Sequence, residues 1–288
     1  MASAPTAPPA ARFPASPSRA PFGRFLAAAF TVVLAISLRE AGVDPRLLVQ
    51  SDAVGNAARF VRGMFPPALG VDFLGLLVRP VIETIQISLM GTTIAVVIGF
   101  PLGLLATASL MWRGALHERT PVARRALLGG VPYGLARALL SVFRAIPEYV
   151  WAFMFVRAVG LGPFPAVLAL GVAYGGMLGK VYSEILEGVD SRPIEALRAA
   201  GASRAAIVLY GLVPSALPHL VSYTLYRWEC AIRAAAILGF VGAGGIGQQL
   251  ALSMRMFQFD EVLTELAVLF ALVAAVDFVS GRIRGRLV

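Results

Sequence analysis

A succession of long apolar runs constrains this chain more than any other feature, at about 25–38, 80–110, 148–160, 164–183, 218–241 and 262–280. Several approach the ~20 residues that a helix needs to cross hydrocarbon. Lipid offers no hydrogen bonds, so a backbone placed there must satisfy its own polar groups, as a helix does. The expected fold is therefore an all-α polytopic membrane protein. The balance of residues agrees, with 58% hydrophobic and 14% charged, where a soluble domain carries about 25% charged residues.

The net charge is +9, and all but one of the 25 basic residues are arginine. They sit between the apolar runs rather than along one soluble face, so the positive-inside rule accounts for them without nucleic acid. Arg113, Arg119, Arg124 and Arg125 mark one cytoplasmic loop, and Arg282, Arg284 and Arg286 a basic tail at 282–288. Arg137, Ser141 and Arg144 recur on one side of the run at 126–143, which reads as an interfacial helix. About six spans then remain, with both termini cytoplasmic. Residues 1–21, rich in Ala, Pro and Ser, are expected to form a disordered cytoplasmic tail. Residues 22–79 hold an uncleaved first span and an external loop with a short surface helix, and 80–281 hold the remaining spans. Gly91, Gly99 and Gly103 would let neighbouring helices approach the second span closely. Cys230 is the single cysteine, and His117 and His219 lie far apart, so no disulfide, metal or cofactor site is implied.

The polar segment at 187–214 carries the sharpest pattern. Pro193 suits a helix N-terminus and Gly201 its end, so a short cytoplasmic helix, a glycine turn and a second helix through Pro214 are expected. Glu195-Ala196-Leu197, then Gly201 and Pro214, resemble the coupling loop of ABC importer permeases, whose pattern is Glu-Ala-Ala, three residues, Gly, nine residues, Ile-x-Leu-Pro. Leu197, Gly211 and Val213 depart from it. The resemblance implies that this helix docks in a groove of a partner ATPase, with Glu195 reaching a basic group there. A rigid helix suits that task, because a flexible loop would absorb the displacement it has to pass on.

Further elements extend the resemblance over roughly 80–281 and bring it close to the phosphonate-importer permeases. They are Glu83-Thr84-Ile85-Gln86-Ile87, Arg144-Ala145-Ile146-Pro147-Glu148, Gly160-Leu161-Gly162-Pro163-Phe164, Leu178-Gly179-Lys180, Tyr226-Arg227-Trp228-Glu229 and Val241-Gly242-Ala243-Gly244-Gly245-Ile246-Gly247-Gln248. That family often has asparagine where Ala231 stands, which leaves phosphonate, phosphite, phosphate or another phosphorus oxyanion as the implied cargo. The implied fold is the type I ABC importer permease fold. The implied setting is the bacterial inner membrane, as a homodimer with two ATP-binding cassette subunits and a periplasmic binding protein.

The glycine run Gly242, Gly244, Gly245 and Gly247 also satisfies G-x-G-x-x-G. A dinucleotide fold needs a parallel strand and a crossover helix around it, whereas membrane helix flanks it here. It reads as a close-packed gate at the outer end of the pathway. Lys180 and Glu184 are spaced for an i,i+4 ion pair. Arg227, Glu229 and Arg233 stand mid-span, where a bare charge is costly. Glu229 and Arg233 can pair, and the arginines offer donors to an anion on the pathway. No G-x-x-x-x-G-K-[ST] loop is present, so ATP hydrolysis is expected in a partner and the chain is not expected to be an enzyme. An intramembrane enzyme would need clustered acid/base or metal residues, and a secondary transporter would leave the loop at 187–214 unexplained. An importer for another small solute, such as an amino acid, is the alternative.

Overall fold

The computed structural model describes residues 20–42, 51–111 and 126–286. The disordered tail expected at 1–21 falls almost wholly outside these residues, as do Arg113, His117, Arg119, Arg124 and Arg125. The chain divides into two compact units, 1–59 and 60–288. In the first, the apolar run after Arg24 forms a helix, α1 (Ala20–Glu40). Helix α2 (Ser51–Gly63) carries the boundary and is the short helix expected between the first two apolar runs.

The second unit is a helical bundle built around α3 (Val71–Leu105) and α6 (Pro163–Glu187). Helix α3 starts nine residues before the expected boundary at Pro80, because the chain stays helical through Pro80 and Pro101. Membrane helices tolerate such prolines where neighbours and side chains re-satisfy the freed backbone groups. Its glycines behave as their spacing implies. A Cβ on Gly99 would lie 2.9 Å from Gly175 O, and one on Gly103 would lie 3.0 Å from Gly179 O. The two backbones therefore touch, and dispersion across that seam replaces the hydrophobic force that lipid removes.

Helices α4 (Val131–Ala145) and α5 (Glu148–Val159) meet at 87°. Pro147 excludes the helical region for the residue before it, and Ile146 is extended at φ −91° and ψ 121°. Trp151 Nε1 donates to Phe143 O at 3.3 Å across the corner. Helix α5 has 12 residues, about 18 Å at 1.5 Å per residue, and so does not form the separate span expected at 148–160. Together α4 and α5 are long and apolar enough for one broken span or a re-entrant pair.

Helix α7 (Ser191–Ala199) follows α6, and a short piece Arg204–Ala206 and a π-helical turn Ile207–Leu212 lead into α8 (Val213–Gly239). Helices α9 (Gly245–Arg255) and α10 (Phe259–Arg284) complete the unit. Among the described residues, α3, α6, the stretch Ile207–Gly239 and α10 are each long and apolar enough to cross a membrane. The bent pair makes a fifth candidate, against the expected six.

Contacts fix how α8 and α9 lie along α10. Glu229 meets Arg284, Arg233 meets Asp277, and Ser253 meets Glu265. The α8–α9 turn therefore lies level with the middle of α10, between Asp277 and Glu265. The glycine run also bonds the turn just before α6, with Gly162 N donating to Gly242 O, so it lies at the end of α6 opposite the one from which α7 follows. Past the turn the chain continues as α9, a helix of 11 residues that the glycine-rich composition concealed.

Candidate functional site

Helix α7 is short but firmly ended. Asp190 caps it, accepting from Arg192 N at 3.0 Å and Arg192 Nε at 2.8 Å. The hydrogen bonds from Arg192 hold the Asp190 carboxyl below its ordinary pKa. At the other end Gly201 takes φ +82°, Ala202 N donates to Leu197 O at 3.0 Å and Gly201 N to Arg198 O at 2.9 Å. This is the Schellman closure, in which a left-handed residue satisfies the last carbonyls. Glu195, Ala196, Gly201 and Pro214 are all exposed, and Glu195 has no ion-pair or hydrogen-bond partner among the described residues. The inner side of α7 is braced. A Cβ on buried Gly211 would stand 2.8 Å from Leu197 Cδ1 and 4.0 Å from Ile194 Cγ1. Helix α7 thus rests on the turn that opens α8.

Further along α8 lies a charged centre. Arg227 stacks over Tyr174 at 4.9 Å and Tyr223 at 5.9 Å and reaches Met177 Sδ, while its Nε is buried without a partner. Arg233 lies 3.4 Å from Cys230 Sγ and 3.9 Å from Asp277, and Arg233 and Asp277 are 48% and 46% exposed. Glu229 is buried at 7% exposure and bonds Arg284 Nη2 at 2.6 Å. The expected Glu229–Arg233 pair is therefore replaced by two cross-helix pairs. A carboxylate seven-eighths or more buried needs a close partner, and α10 supplies one. Lys180 and Glu184 do form their i,i+4 pair.

The glycine break gathers three separate segments of the chain. Gly162 N donates to Gly242 O at 3.0 Å, joining the α5–α6 turn to the α8–α9 turn. Gly242, Gly244 and Gly245 have positive φ, which side-chain-bearing residues rarely adopt. The N-terminus of α9 is capped from α3, with Gly245 N donating to Glu83 Oε2 at 3.2 Å and Ile246 N to Thr84 Oγ1 at 2.9 Å. Gly244 N donates to Gln248 Oε1 at 3.0 Å. Below the turn, Gly239 and Gly247 pack so closely that a Cβ on Gly247 would overlap Ala236 O.

Three of these contacts could not be foreseen. Nothing local ties Arg284 to Glu229 or Tyr174 to Arg227, whereas Tyr223 precedes Arg227 by four residues and its stacking follows from helical spacing. The caps from Glu83 and Thr84 are likewise remote in sequence.

The family described as binding-protein-dependent transport system inner membrane component matches residues 121–287. The phosphite transport system permease protein PtxC of Stutzerimonas stutzeri is 39% identical over 239 residues, covering 82% of this chain and 81% of that protein. The phosphate-import permease protein PhnE of Mycolicibacterium smegmatis is 35% identical over 228 residues, covering 78% of this chain and 39% of that one. The inward-facing MetNI methionine ABC transporter superposes with a TM-score of 0.62 at 28% identity, covering 76% of this chain and 100% of that one. The fold and the similarity define a permease component of ABC import systems. The chain belongs to the binding-protein-dependent transport system inner membrane component family.

Proposed function

We propose that the chain is the transmembrane permease of an ATP-driven importer for phosphonate, phosphite or a related phosphorus oxyanion. It works as a homodimer with two ATPase subunits on the cytoplasmic side and a binding protein outside, both termini facing the cytoplasm. Hydrolysis belongs to the ATPase, and this chain supplies the path and the mechanical link. The observation that carries the reading is α7, a capped helix with an exposed carboxylate at Glu195 that is unpaired among the described residues, braced through Leu197 against Gly211 at the foot of α8. Displacement of α7 reaches Arg227 and the glycine break along one helix, a packed route rather than a flexible one. Arg227 and Arg233 act on the anion because guanidinium donors match phosphorus oxygens. The relatives at 39% and 35% identity, named for phosphite and phosphate transport, favour this cargo over an amino acid.

Co-purification tests the reading. The ATPase is retained by the wild-type permease and lost with Glu195→Arg or Gly201→Glu at unchanged permease abundance. Retention by both variants would remove α7 from the interface. Uptake of phosphite, methylphosphonate and methionine by cells carrying the transporter tests the cargo, and methionine uptake alone would overturn it.

A further inference from the structure

One face of α8 is lined with hydrogen-bond donors in a pattern that the transport reading does not use. His219, Ser222, Tyr223 and Tyr226 fall at i, i+3, i+4 and i+7, so they share a side of the helix. Opposite them, Val181 and Ile185 of α6 form an apolar wall, and Arg284 of α10 closes the end. Between them lies an open groove of about 500 Å³. None of its lining side chains is acidic. Three hydroxyl-bearing residues, a histidine and an arginine line a space large enough for a hydrated tetrahedral anion.

Arg284 is the key donor, and it is held by a rival. Its Nη2 bonds Glu229 Oε1 at 2.6 Å while its guanidinium carbon stands 6.0 Å from the Tyr226 ring centroid. The Arg284 side chain keeps 30% exposure and lines the groove. Tyr223 belongs both to this groove and to the stack on Arg227. The two arginines are thus linked by one aromatic ring, with the groove on the side towards α7.

We propose that the α6–α8 groove is a second oxyanion station, which holds a phosphorus oxyanion group through Arg284, His219 and the hydroxyls of Ser222, Tyr223 and Tyr226. Glu229 neutralises Arg284 when the groove is empty and shares it when an anion arrives. The proposal rests on the transport reading above and adds a binding site to it. The same chemistry is offered by a free oxyanion released from Arg227 and by the headgroup of an anionic phospholipid beside the basic tail.

Calorimetric titration of the purified permease–ATPase complex separates these sources. In nanodiscs of phosphatidylcholine alone, phosphite or methylphosphonate binds saturably if the free anion is the ligand. If the lipid is, short-chain phosphatidylglycerol gives the saturable heat and the free anions give none. In either arm, affinity falls at least roughly tenfold, the loss of one charge-assisted contact, in His219→Gln and in the doubly substituted Glu229→Gln/Arg284→Gln. The double variant leaves no buried charge orphaned, so a loss of folding does not imitate a loss of binding. Glu229→Gln alone tightens binding. Affinities within twofold of wild type in both the His219 and the double variant overturn the groove, as does wild-type protein that binds neither ligand. Phosphite uptake driven by the intact transporter is scored separately, and its absence overturns the transport reading instead.

Discussion

Leu197 occupies the space that a side chain at position 211 would need, since a Cβ on Gly211 would stand 2.8 Å from Leu197 Cδ1. These are two of the positions at which the chain departs from the Glu-Ala-Ala…Gly…Ile-x-Leu-Pro pattern. The departures compensate one another, a larger residue on α7 facing a smaller one at the foot of α8. Gly211→Ile should overpack this contact and destabilise the protein by about 1–3 kcal/mol. Adding Leu197→Ala should recover most of that loss. Thermal unfolding of the detergent-solubilised protein reads the cycle, and additive effects would mean that the two residues act independently.

The break between α8 and α9 should be intolerant of a single methyl group. Gly247→Ala places a Cβ against Ala236 O, backbone that cannot swing aside as a side chain could. We expect a sharp fall in the monodisperse fraction on size exclusion. Gly134→Ala, where nothing lies within 4 Å of the added Cβ, should behave as wild type.

The Glu229–Arg284 pair should show strong coupling. Removing one partner of a buried pair typically costs about 3–5 kcal/mol, while removing both is far less harmful. Glu229→Gln and Arg284→Gln should each lower the unfolding midpoint more than the double substitution does. Arg233→Gln, whose partner Asp277 is half exposed, should have the smaller effect.

The cap on α7 carries a pH sign. The Asp190 carboxyl is held below its ordinary pKa by Arg192, so its contribution is present above the unfolded carboxylate value and is lost as pH falls through the lowered folded value. Retention of the ATPase should therefore be level through neutral pH and fall only on the acid side. In Asp190→Asn, which still caps but cannot ionise, that acid-side fall should be weaker.

Much of this architecture was readable because its causes are local or periodic. Gly91, Gly99 and Gly103 announced a close helix seam, and Pro193 and Gly201 bracketed α7 within two residues. Pro147 marked a corner because proline restricts the residue before it. What escaped depends on the third dimension. Arg233 lay at the ideal spacing for Glu229, yet α10 brought Arg284 closer. Helix α9 was hidden because glycine disfavours helix in isolation, and its start is stabilised by Glu83 and Thr84, 162 residues away.

That remote cap has a consequence for biogenesis. The chain is made from its N-terminus, so α3 leaves the ribosome long before α9 exists, and the acceptors for α9 wait in place on the earlier helix. Until α9 meets them, its first amide groups face hydrocarbon or water without a protein partner. Insertion order and folding order therefore differ: α3 is among the first segments of its unit to be made, but its contact at Glu83 and Thr84 is among the last to close. An insertion intermediate arrested after α8 should expose Glu83 to aqueous reagents, and completion of α9 should shield it.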